Sequence, residues 1–235
     1  MKKVLVGLGI VLVLSALGFT GFIWWKLQPR EQRLPLPAGL VAHDTSAGSE
    51  RLEGAEAAAD YQPLVDAFEP QALVSYCGVA TGAAVLSAMG HDVTQQTFFD
   101  DKTDPVRSRF QVTFGGMSLT DLAGLLEAHG AEVEVHYAGS STVDEFRQVL
   151  EDNLSREGDY VVVNYQREAL GQGRVGHISP LAAYDRDSDS VLVLDTAAHK
   201  YPPTWVPVES LFAAMDTIDT STGHTRGFLE VGAPK

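Results

Sequence analysis

The chain reads as an α+β protein, with helices gathered in its first half and antiparallel strands in its second. Three observations carry that prediction. Up to residue 153, apolar side chains recur mainly at i, i+3 and i+4 spacing, the period of a helix with one buried face. From residue 160 the pattern changes to short β-branched runs at 160–165, 176–184 and 191–195. The last two runs flank Asp185-Arg-Asp-Ser-Asp-Ser190, a turn-forming cluster that joins them as an antiparallel hairpin.

In chain order, Lys2 and Lys3 come first and residues 4–25 then run 22 residues without a charge. A membrane-spanning helix needs about 20 mostly apolar residues. Trp24 and Trp25 close the run like an interfacial belt, with Lys26, Arg30 and Arg33 beyond. Residues 1–27 are therefore expected to be an uncleaved single-pass anchor. The remainder is expected on the extracytoplasmic or periplasmic side. Residues 28–57, rich in Pro, Gly, Ser, Glu and Ala, read as a flexible linker. Residues 58–235 then make one domain, long enough for its own core.

Within the domain, a helix is expected from Cys77 through the small-residue run Val79, Ala80, Ala83, Ala84, Val85, Leu86, Ala88 and Met89, stopped by Gly90. Residues 91–104 form a polar connection, with Phe98 and Phe99 as packing anchors. Leu119, Leu122, Leu125 and Leu126 mark the next helix, capped by Ser118 or Thr120 and ended by Gly130. Residues 132–137 alternate as a strand. Val143, Phe146, Val149 and Leu150 share one face of a further helix, whose first turn carries Asp144 and Glu145.

Composition narrows the function. Seventeen Lys and Arg stand against 31 Asp and Glu, a net charge of −14, with no basic stripe for phosphates. Nucleic acid is excluded as a partner. The single cysteine, Cys77, forms no internal disulfide, and no histidine pair has metal-site spacing, so no protein-bound metal is expected. Cys77 stands at a helix N-terminus, where free N–H groups and the helix dipole favour a thiolate. Gln71, six residues earlier, is placed to donate its amide to an oxyanion. His177 begins one hairpin strand and Asp195 ends the other, so the two can meet. Together these make a nucleophile site. Cys77 attacks, His177 moves the proton and Asp195 orients the imidazole.

The same stretches resemble phytochelatin synthase, a papain-like cysteine transpeptidase family acting on glutathione. The resemblance covers roughly residues 60–232 and is closest to the short bacterial members. It rests on residues 71–89, on Val162-Val-Asn-Tyr through Gly176-His-Ile-Ser-Pro180, and on Lys200-Tyr-Pro-Pro-Thr-Trp-Val-Pro207. The tail, Ala214-Met-Asp-Thr-Ile-Asp219 with Arg226-Gly-Phe228, completes it. The resemblance implies a papain-like fold, one half carrying the cysteine and the other the histidine and aspartate. It implies attack on the Cys–Gly amide of glutathione, a thioester on Cys77, and mainly hydrolysis with weaker transpeptidation. It brings Asn164, Tyr201 and Arg226 forward as substrate contacts, with Arg167 as another carboxylate partner, and sets Tyr201, Pro202, Pro203 and Trp205 as a wall near the site. No cofactor is implied. Cadmium or zinc enters as the thiolate of glutathione, the second substrate. The family's usual Arg three residues after the triad Asp is Ala198 here, which bears on glutathione affinity and transfer. A tethered peptidase of the double-glycine leader type and a non-enzymatic binding domain are the competing readings. The oligomeric state stays open, a homodimer included.

Overall fold

The computed structural model describes residues 2–233, and of residues 2–13 it describes the helical backbone alone. The chain opens with α1 (Lys2–Leu27), β1 (Val41–Ala42), α2 (Ser46–Gly54) and α3 (Tyr61–Ala67). The cysteine helix is α4 (Cys77–Ala88), followed by α5 (Arg109–Gly115), α6 (Leu119–Ala128), β2 (Glu132–Tyr137) and α7 (Val143–Asn153). Then come β3 (Tyr160–Gln166), β4 (Gly176–Asp185), β5 (Ser190–Val193), β6 (Thr204–Pro207), α8 (Val208–Met215) and β7 (Gly227–Gly232). The strands form one sheet in the order β1-β6-β5-β4-β3-β7-β2, antiparallel throughout. The mixed helical and antiparallel architecture is the one expected.

Local chemistry sets the helix ends. Ser118 Oγ accepts from Asp121 N at 3.1 Å while Asp121 Oδ2 accepts from Ser118 N at 2.8 Å, closing a capping box on α6. Thr142 and Glu145 do the same for α7. The sheet is buried on both faces. Tyr160, Val162, Leu192 and Leu229 pack with α4 and α6, and Val161, Val163, Val191 and Phe228 pack with α7 and α8. A strand covered on both sides reads as a continuous apolar run, which explains Val161-Val-Val163. The small residues of α4 allow close packing. A Cβ at Gly82 would stand 2.8 Å from the Phe98 ring and 3.2 Å from Leu122.

Two expectations at the N-terminus are corrected. The α1 helix forms, but part of the expected span lies outside the described residues. Among the described residues no helix is long and apolar enough to cross a membrane. The single-pass anchor, and the extracytoplasmic placement inferred from it, are not upheld. Residues 28–57, expected to be a flexible linker, lie against the domain instead. The N–H groups of Gln32 and Leu34 donate to His199 and Lys200 carbonyls at 2.8 and 2.9 Å. Strand β1 pairs Val41 with Trp205. The indole Nε1 of Trp205, fully buried, donates to Gly48 O at 2.9 Å. Composition suggested a solvated segment, and long-range backbone pairing overrides it.

Candidate active site

Cys77 is the first residue of α4. Its N-cap, Tyr76, supplies no side-chain cap, so the helix's first N–H groups keep their capacity for other partners. The sulfur lies against the end of β4, where the backbone N–H groups of Ile178 and Gly78 donate to it. Burial nevertheless pushes the Cys77 thiol up, outweighing those bonds and the Arg167 charge. The expectation of a lowered pKa at the helix N-terminus is therefore corrected: desolvation wins over the dipole.

His177 and Asp195 come together as the hairpin suggested. The last β4–β5 rung pairs Leu181 with Val193, after a bulge between Leu181 and Ala183. The chain stays alongside β4 through Leu194 N to Pro180 O at 3.0 Å. That delivers Asp195 Oδ1 to 3.0 Å from His177 Nε2. With Nε2–H given to the carboxylate, Nδ1 is the bare nitrogen left to take a proton. Burial first, then the Arg167 charge, pulls His177 down to about 4. Burial acts to raise Asp195, but His177 and Arg167 overcome it and hold the carboxyl well below the usual carboxylate range.

Arg167 is a central member of this cluster. It is 1 % exposed. A single nitrogen, Nη2, donates to Asp195 Oδ1 at 2.6 Å and Oδ2 at 2.7 Å, while Nη1 donates to Gln172 Oε1 at 2.5 Å. Asp195 Oδ1 also accepts from Ala197 N at 2.8 Å. Its charge and lone pairs are thus matched inside the protein, as a buried carboxylate requires. Arg167 was expected at most to meet a substrate carboxylate; here its cation is occupied by Asp195. Its place in a turn after β3, in Gln-Arg-Glu-Ala, looks like surface, and only the fold reveals the contact.

Cys77 and His177 line one cavity of about 440 Å³, together with Asn164, Arg107, Asp219 and Arg226. Asn164 bonds through its side chain to Asp219. Burial opposes ionisation of Asp219, but bonds from Ser221 N and Oγ at 3.0 and 2.7 Å and the Arg226 charge keep its carboxyl low. Arg226 Nη1 donates to Ile218 O at 2.7 Å, and its buried Nε has no partner. The cavity thus offers a fixed anion beside a cation with a donor to spare. Asp219 was readable only as one residue of the Ala214-Met-Asp-Thr-Ile-Asp219 run.

Other expected residues lie elsewhere. Gln71 is buried, but both amide hydrogens serve Leu73 O at 2.8 Å and Val74 O at 3.0 Å, bracing the turn into α4. It does not line the cavity. Tyr201 is buried with its ring 5.2 Å from the Arg167 guanidinium, packed on the cation, and it does not line the Cys77 cavity. Trp205 is committed to β6 and Gly48. Ala198 lines a separate hollow of about 260 Å³ with Arg33, Lys200 and Tyr201.

Fold and site define a protein that gathers a half-buried cysteine and a buried His-Asp pair at the junction of a helix and an antiparallel sheet. The phytochelatin synthase family model matches residues 31–228, and the chain belongs to that family. It is 35% identical over 177 residues to glutathione gamma-glutamylcysteinyltransferase 1 of Arabidopsis thaliana, covering 73% of this chain and 36% of that protein. To glutathione gamma-glutamylcysteinyltransferase 3 of Lotus japonicus it is 35% identical, over 73% of this chain and 37% of that one. To the glutathione gamma-glutamylcysteinyltransferase of Schizosaccharomyces pombe it is 26% identical over 83% and 49%. The chain therefore spans between about a third and a half of these relatives.

Proposed function

We propose that the chain cleaves the Cys–Gly amide of glutathione through a thioester on Cys77, on a papain-like fold. The observation that carries this is the linked set His177, Asp195 and Arg167, with Cys77 and His177 lining the same charged cavity. The cavity volume suits a small ligand. Asp219 takes the α-ammonium of the γ-glutamyl arm, Arg226 its α-carboxylate, and Asn164 an amide along the backbone.

His177 Nδ1 takes the thiol proton as Sγ bonds to the carbonyl carbon. The oxyanion is met by Cys77 N–H at the start of α4, joined by Gln71 once its amide turns from the Leu73 and Val74 carbonyls. The C–N bond breaks, the proton on His177 goes to the leaving nitrogen, and glycine departs. Water then attacks the thioester, giving its proton to His177, and γ-glutamylcysteine leaves with the thiol restored. A second glutathione, free or as its cadmium or zinc thiolate, replaces water in the weaker transfer branch. Asp195 and Arg167 carry no substrate atom; they fix the tautomer and orientation of His177.

The test is glycine release from glutathione by the full chain. Cys77→Ala abolishes it. Arg226→Ala and Asp219→Asn raise KM, by about 10-fold or more for each lost charged bond. Glycine release that survives Cys77→Ala contradicts the mechanism. Equal turnover of peptides with an ordinary α-linked glutamate contradicts the assigned subsite and favours the peptidase reading.

A further inference from the structure

We propose that Glu134, His136 and Glu230 form a binding site for one divalent first-row metal ion, Zn²⁺ foremost, on the β2–β7 pair outside the cysteine cavity. Register places Glu134 directly opposite Glu230. Two like charges in that relation repel, and nothing in strand geometry separates them. His136 lies two residues along the same face of β2. Its Nε2 stands 3.1 Å from Glu230 Oε1 and 3.6 Å from Glu134 Oε1. Those distances bracket the edge of about 3.3 Å that a tetrahedron with ~2.0 Å metal bonds requires. The donor atoms all lie within 4.8 Å of one another.

Two further observations point to an ion. His136 Nε2 is shut from solvent, yet it meets neither carboxylate in hydrogen-bond geometry. The ring is held by stacking on Phe228 at 4.5 Å and 11°. Second, Asn153 is 2 % exposed and its Oδ1 has no partner, while its Nδ2 donates to Glu230 Oε2 at 3.3 Å. This is the support an outer-shell residue gives a metal-bound carboxylate, with an acceptor left for a bound water. Asn153, Glu134 and Glu230 line one hollow of about 700 Å³, and Arg156 on its wall is already paired with Asp159 at 2.9 Å. Two carboxylates neutralise a 2+ ion, and one imidazole selects a first-row metal over Mg²⁺ or Ca²⁺. The hollow shares no lining residue with the Cys77 cavity. The ion staples the edge strand β2 to β7, whose preceding residue is Arg226.

The experiment is calorimetric titration of Zn²⁺ into chelator-stripped full chain carrying Cys77→Ala, so that no thiolate contributes. One ion binds per chain. His136→Gln and Glu134→Gln each remove that isotherm, and Asn153→Ala weakens binding about 10- to 100-fold. Co²⁺ in place of Zn²⁺ gives visible bands that His136→Gln removes. Glu134 is exposed, so its variant tests the site with the fold intact, checked by circular dichroism. Absence of stoichiometric binding, or binding unchanged in both Glu134→Gln and His136→Gln, overturns the proposal.

Discussion

Replacing Arg167 is the sharpest perturbation available, because its one nitrogen holds both oxygens of a buried carboxylate. In Arg167→Met, Asp195 keeps only His177 and the Ala197 N–H. A buried pair broken from one side costs about 3–5 kcal/mol, since the remaining charge stays uncompensated. Arg167→Lys should be milder. Nη2 alone spans Oδ1 and Oδ2, a position an ammonium can take. What it loses is the bond to Gln172 and the packing on Tyr201, about 1–2 kcal/mol together. Urea denaturation at pH 7 with matched m-values reads the difference, with exposed Arg174→Met as a control near zero. The same change removes a charge that depresses His177, so the acid limb of kcat/KM should move upward from about 4. A Met variant within about 1 kcal/mol of the parent, or a Lys variant as damaged as the Met variant, refutes the reasoning.

The remaining predictions are these. The unfolded chain binds a proton at His177 near 6.5 that the folded chain refuses until about 4, so stability should fall as pH drops through that window. The full gap is about 3 kcal/mol, and His177→Asn should flatten it in denaturation curves at pH 7 and pH 4.5. Trp205→Phe removes the bond to Gly48 O and should cost about 1 kcal/mol. It should also hasten protease cleavage within residues 28–57; unchanged cleavage would mean that the segment is held by other contacts.

Much of the architecture was legible because it is encoded locally. The period of α4 ends at Gly90, whose φ of +89° suits a helix stop. Ser118 announces its helix, and Asp144 and Glu145 mark the first turn of α7. The Asp185–Ser190 turn brings the ends of β4 and β5 together, which is why the sequence alone pairs His177 with Asp195. What stayed hidden depends on distant partners. Strand β6 sits in a Pro-rich run that looked like a loop wall. Residues 28–57 have a linker's composition, yet Val41 meets Trp205. Arg167 and Tyr201 lie on separate surface-looking segments that close over Asp195. Glu134 and His136 alternate like any exposed strand face until β7 sets Glu230 beside them. The pKa of Cys77 was misjudged for the same reason: the helix terminus is visible in sequence, but the wall that desolvates the sulfur is not.

The most direct test of the central claim is intact-protein mass spectrometry of the full chain quenched in acid during turnover of glutathione. The account predicts a γ-glutamylcysteinyl adduct mapped to Cys77, absent in Cys77→Ala and strongly reduced in His177→Asn, with free glycine appearing in step. Glycine release without any adduct on Cys77, or no reaction with glutathione at all, would contradict it.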